Sequence, residues 1–183
     1  MTATDDSMLV TLGMPSIVTH AVAAGLVLSA VVGALLIGIL RVNAEILLHD
    51  YPPDIRAAWG PMTARTRRQR IPVVCGLLVA IVAVIVWSLS TLPTIAAREF
   101  SFSTAVAYFA VMFGTFNAFD WLVLDCGLLY FQPRFAVLPG TEGMKGYRDY
   151  GFHFRGFLLG IPVVAVGSVF AAAMVVIFFR LGF

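Results

Sequence analysis

Residues 71–92 read IPVVCGLLVAIVAVIVWSLSTL and carry no formally charged side chain. A helix needs about 20 apolar residues to cross a hydrocarbon core of about 30 Å, and this run is long enough. Pro72 falls in the first turn, where its missing N–H leaves no helical bond unmade. Trp87, near the far end, suits the aromatic belt of a membrane interface. A helix that is apolar all round has no face to offer water, so bilayer or protein must be its solvent. Composition points the same way: of 183 residues, 60% are hydrophobic and 12% charged, against about 25% charged in soluble domains.

Three comparable runs surround this one. Upstream, residues 17–40 contain no formal charge, with His20 near one end. Their small residues fall in two rows of spacing four, Gly25, Ser29 and Gly33 beside Ala30, Ala34 and Gly38. Such rows admit a second helix, from this chain, a second copy or a membrane partner. The helix is expected to continue through Arg41, Glu45 and His49 until Pro52 and Pro53 stop it. Downstream, Pro93 turns the chain into a third span at about 101–126. A fourth follows at 156–179 with Gly156, Gly160, Gly167 and Ala171 set to pack against another helix. The expected fold is all-α: one polytopic membrane domain, residues 1–183, with four transmembrane helices in a bundle.

Two long connections, about 41–70 and 132–155, join these spans. The first has six arginines against Glu45, Asp50 and Asp54. Pro53 opens a short helix that Gly60 and Pro61 close, and its Ile55 and Trp59 share an apolar edge suited to a membrane surface. Arg65, Arg67, Arg68 and Arg70 then form a basic lead-in attracted to anionic headgroups. No glycine-rich loop accompanies them to make a dedicated phosphate site. Together the connections hold ten of the twelve Lys and Arg residues, leaving Arg98 and Arg180 on the other side. The positive-inside rule therefore places both connections in the cytoplasm and both termini outside. No basic tract with interleaved aromatics is present, which argues against nucleic acid as a partner. Cys75 and Cys126 read as free thiols.

The third span is interrupted at residues 116–126, FNAFDWLVLDC. A carboxylate at membrane depth must find protein, water or a cation. The topology gathers polar residues at the cytoplasmic end from three places: Glu45, His49 and Asp50; Asn117, Asp120 and Asp125; Glu142, Asp149 and His153. Arg41, Arg65, Arg67, Arg68, Arg70, Arg148 and Arg155 ring that end as candidate headgroup contacts. On a straight α-helix Asp120 and Asp125 lie about 140° apart, too far to share an ion unaided. One reading pairs them with Arg41, Arg134, Arg148 or Arg155 in a network that docks helices and loops. Another makes Glu45, His49 and Asp120 ligands of a divalent metal, the cofactor compatible with those side chains. No polar row continues beyond the isolated His20, which reads as an interfacial residue. No Gly-x-Ser-x-Gly elbow or paired nucleophile is present. Tyr147 and Tyr150 fit either a headgroup pocket or interfacial anchoring.

The order Asp50-Tyr51-Pro52-Pro53 after the first span, Asp120 to Asp125 in the third, and Pro139-Gly140-Thr141-Glu142 before a Tyr/His run resembles a group of uncharacterised small bacterial membrane proteins. The resemblance covers about residues 43–156 and implies a bacterial plasma-membrane location; no activity or site role comes with it. The resulting expectation is a binding protein for a lipid headgroup, a small anionic ligand or a membrane partner. The alternative is a metal-dependent membrane enzyme acting on a lipid or phosphorylated substrate.

Overall fold

The computed structural model describes the backbone of residues 3–92 and 101–180, with side chains from residue 17 onward except 129 and 178–180. The turn expected around Pro93, with Arg98, lies outside the described residues. Among those described, the chain is helical without strands. Six α-helices follow in order: α1 (Ala3–Asn43), α2 (Pro53–Trp59), α3 (Ala64–Ser90), α4 (Phe102–Phe119), α5 (Cys126–Phe131) and α6 (Tyr150–Arg180). A π-helical turn, Asp120–Asp125, joins α4 to α5 without a break. Four runs are long and apolar enough to cross a membrane: Ile17–Asp50, Ala64–Ser90, Phe102–Leu128 and Tyr150–Ile177. Apolar side chains such as Val79, Val82, Leu159, Val163, Val166 and Phe170 stand exposed along them. This is the surface that hydrocarbon, rather than water, would solvate.

The helices contribute to two compact units, the first from residues 1–28, 83–117 and 159–183, the second from 29–82 and 118–158. In the first, Ala21, Ala24 and Leu28 of α1 are buried, as are Ala105, Tyr108, Phe109 and Met112 of α4 and Ser168 and Ala172 of α6. Close helix approach organises it. A Cβ at Gly25 would sit 2.6 Å from the Met112 carbonyl oxygen and 2.7 Å from Thr115 Cβ. One at Gly160 would collide with the Asn117 side-chain amide. Gly167 packs more loosely, with the Phe113 ring 3.8 Å from its would-be Cβ. The α6 row is thus narrower than the glycine spacing implies: Gly156 faces open space.

In the second unit the two long connections fold against each other. Leu40, Leu48, Tyr51, Ile55, Ala136 and Leu138 form a buried cluster, flanked by Trp59, Met62, Phe135, Met144 and Tyr147. Pro53 opens α2 and Gly60, at φ +87°, ends it. Its apolar edge is corrected, however: Ile55 is fully buried among loop residues rather than laid on a membrane surface. The row Ala30, Ala34 and Gly38 stays outside the packing, with open space beside Gly38.

Candidate functional site

α1 does not continue through Glu45 and His49. It ends at Asn43, whose extended backbone lets its side-chain oxygen accept the Glu45 N–H at 3.1 Å. A tighter 3₁₀ segment, Ala44–Asp50, follows. The backbone leaves helical geometry at Leu47, between Glu45 and His49, so the two no longer follow one helix face and are not a stacked pair. Glu45 is buried, and its Oε1 accepts from Thr63 N at 2.6 Å and Trp59 Nε1 at 3.4 Å. Its Oε2 accepts from the hydroxyls of Thr63 at 3.0 Å and Thr66 at 2.5 Å. Thr63 Oγ1 caps α3 by accepting the Thr66 N–H at 3.3 Å, and the carboxylate holds that cap in place while its negative charge offsets the helix dipole. Asn43 Nδ2 adds bonds to Thr66 and Gln69 at 3.0 and 3.2 Å. With both oxygens engaged, Glu45 is a structural clasp. Among the described residues no group of three His, Cys, Asp or Glu side chains is arranged to hold a metal ion.

The connections are clasped by a second set of bonds. Tyr51 Oη donates to the Ala136 carbonyl at 2.8 Å, and burial pushes its pKa up. Leu138 N donates to Tyr147 Oη at 2.9 Å, and Thr141 Oγ1 lies 2.7 Å from the same oxygen. Asp54 Oδ2 accepts the Gly146 N–H at 2.9 Å, and a Cβ on Gly146 would strike that carboxylate. Tyr147 is therefore a loop-core residue, whereas Tyr150 is exposed. Glu142 is also exposed; its own backbone N–H, then that of Gly140, holds its carboxyl below the usual range. Asp149 accepts the Phe152 N–H at 2.9 Å and so caps α6.

The π turn changes the reading of the aspartates. Its i→i+5 hydrogen bonding brings residues five apart onto about the same face, where an α-helix would separate them. Asp120 accordingly lies within electrostatic reach of Asp125, Asp50 and His153. Asp125 Oδ2 is 3.1 Å from His153 Nδ1, with side chains 28% and 17% exposed. Trp121, between the aspartates, stacks on Phe157 at 5.0 Å and packs against Phe154 at 5.1 Å, which anchors the turn to α6. Asp50 is within reach of Arg70, His49, Asp125 and Arg56. The site therefore has an acidic face with an imidazole, bordered at Asp50 by positive charge.

The expected arginine network is not what holds these aspartates. Among the described residues neither Arg41, Arg134, Arg148 nor Arg155 forms an ion pair with them. Arg41 lies over the Phe135 ring, 5.0 Å from its centroid. The Asp120 side chain has no hydrogen-bond or ion-pair partner among the described residues. Asn117 belongs to the other unit, against Gly160. Arg65, Arg67, Arg68, Arg148 and Arg155 are exposed, and Arg70 is partly buried. The sequence reading missed Thr63 and Thr66 as partners of Glu45, and Asp54 as a loop clasp. The i, i+5 acidic pair in an apolar helix was the one available signal for the π turn.

Comparison with protein-family models, curated proteins and solved structures finds no match to this chain.

Proposed function

We propose that this is a multi-pass protein of the bacterial inner membrane, with both long connections in the cytoplasm and both termini outside. Its aspartate face binds the amine-bearing headgroup of a membrane phospholipid. The observation that carries this reading is Asp120, partly buried and unpartnered among Asp125, Asp50 and His153. Three carboxylates in one neighbourhood repel one another, and an ammonium group with three N–H donors relieves that repulsion. A small anion placed there would add to it. A phospholipid carries its phosphate beside the amine, which matches Arg70 and Arg56 next to Asp50. Lipid can also reach such a site sideways from the bilayer.

The test is native mass spectrometry of the protein released from nanodiscs containing equal phosphatidylethanolamine and phosphatidylglycerol in phosphatidylcholine. Wild-type protein should retain phosphatidylethanolamine preferentially. Asp120→Asn should lower that retention about tenfold, the equivalent of about 1.4 kcal/mol. Equal retention of all three lipids, or preference unchanged in Asp120→Asn, sinks the reading.

One contact favours a second reading, a metal-dependent membrane enzyme acting on a lipid or phosphorylated substrate. A carboxylate on His Nδ1, as Asp125 lies on His153, orients the imidazole and leaves Nε2 as base or ligand. Glu45 is not free to join it. Wild-type protein purified without chelator that neither contains nor takes up Zn²⁺, Mg²⁺ or Mn²⁺ would exclude this alternative.

A further inference from the structure

α3 opens with arginines that the Asp120 site does not use. Arg65, Arg67 and Arg68 are exposed and, among the described residues, form no ion pair or side-chain hydrogen bond. The first turn of α3 holds no acidic side chain, and Glu45 is already engaged by Thr63, Thr66 and Trp59. Steps of three and four from Arg65 give Arg65, Arg68, Pro72, Cys75, Val79 and Val82, a band about 100° wide on an α-helix. Every member is exposed, whereas Thr66, Gln69, Val73 and Leu77 on the other side are buried or partly so. Gly76 borders the band with open space around it, which leaves a shallow furrow beside Pro72 and Val79.

Depth and charge decide what fits this band. At about 1.5 Å per residue, Arg68 and Arg65 stand about 4.5 and about 9 Å before Ile71, where the charge-free run begins. The headgroup layer occupies about 5–7 Å on each side of the hydrocarbon, so the two guanidiniums reach the level of lipid phosphates. A second copy of the chain is disfavoured here. About a two-fold axis along the membrane normal, Arg65 and Arg68 of one copy would meet the same cations of the other. A water-soluble acidic partner would reach the arginines but leave the apolar part of the band uncovered. An anionic phospholipid matches both parts, with a phosphate for the guanidiniums and a chain for the furrow.

We propose that the band from Arg65 to Val82 is a docking surface for anionic phospholipid, with the headgroup phosphate on Arg65 and Arg68 and an acyl chain along Cys75 and Val79. It selects for net negative charge, whereas the Asp120 site selects an ammonium group, so the protein makes two lipid contacts of different class. The proposal rests on the membrane placement proposed above and not on lipid binding at Asp120. An open helix face lets this lipid exchange with the bilayer, and it is therefore read there, at equilibrium.

The test labels Cys75, which lies in the band about 20° round the helix from Arg68, with a bimane fluorophore in full-length Cys126→Ser protein. Nanodiscs of phosphatidylglycerol and phosphatidylcholine in equal parts carry brominated, quenching chains on one lipid or the other. Phosphatidylglycerol should quench with a local preference of about fivefold, the weight of one arginine at an anionic surface. Arg65→Gln with Arg68→Gln should bring the two lipids close to parity, and Arg65→Lys with Arg68→Lys should keep the preference. Arg67→Gln, about 100° round the helix from Arg68, should change it little. Salt at about 1 M should weaken it, because charge is then screened within about 3 Å. Asp120→Asn should leave it unchanged, which separates this surface from the Asp120 site. Equal quenching by both lipids, a preference that survives loss of Arg65 and Arg68, or an equal loss in Arg67→Gln would each overturn the proposal. Quenching by neither lipid, with Cys75 cross-linking between copies, would give the band to a second copy; without cross-linking it would overturn the membrane placement itself.

Discussion

The two compact units are held in opposite ways. In the first, helices approach because side chains are missing: Gly25 lets the α4 backbone in, and Gly160 leaves room for the Asn117 amide. In the second, side chains replace helix continuity. Asn43, Glu45, Thr63 and Thr66 close one turn, while Tyr51, Asp54 and Tyr147 close the other. Without a hydrophobic drive between helices in lipid, contact area and close approach must do the work. A connection at the membrane surface meets water as well, and there directed hydrogen bonds can single out one loop conformation. The difference teaches that a mutation's cost in this protein depends on the unit: added volume breaks the first, lost polarity breaks the second.

The largest expected effect adds volume to the first unit. Gly160→Leu should cost about 3 kcal/mol, because the Asn117 amide must leave its place and a whole leucine side chain must then fit where it stood. Gly156→Leu, four residues earlier and facing open space, should cost little. Thermal aggregation of the two variants in detergent checks the pair, and equal tolerance would end the role assigned to Asn117 against Gly160.

Removing polarity from the second unit comes next. Glu45→Ala leaves Thr63 and Thr66 without their buried acceptor and should cost about 2–3 kcal/mol. Hydrogen exchange should rise at residues 60–68 and stay unchanged at residues 17–28. Uniform acceleration across both segments would contradict the distinction between the units.

The smallest effect is at Tyr51. Tyr51→Phe keeps the ring in its cluster but loses the bond to the Ala136 carbonyl, an expected cost of about 1 kcal/mol. The sign with pH follows from burial, which raises this phenol's pKa in the folded state. The unfolded chain ionises near pH 10 while the folded one does not, so this contribution is whole at neutral pH and declines as pH rises past about 10. Alkaline melts should therefore show a steeper loss for wild type than for Tyr51→Phe. Parallel curves would mean that Tyr51 is not titration-protected by the loop core.

Residue types alone determined the apolar helical runs, since a long charge-free stretch can satisfy its backbone in lipid only by coiling on itself. They also determined α2, because Pro53 and Gly60 act on their own backbones, and the Gly25 to Gly33 face, where Gly25 meets α4 and a Cβ on Gly33 would lie 3.4 Å from the Leu124 side chain. Tertiary structure alone decided the break at Asn43, where a polar side chain that could have faced solvent instead binds Glu45, Thr66 and Gln69. It decided that Ile55 enters a loop core, because the partner surface arrives from residues 136–138, far along the chain. It decided the site most of all. Asp120 and Asp125 are about 140° apart in the register that helical periodicity implies, and a π turn, wedged by Trp121 against α6, brings them to one face. That register shift belongs to backbone hydrogen bonds and packing, and no residue in DWLVLD specifies it by itself.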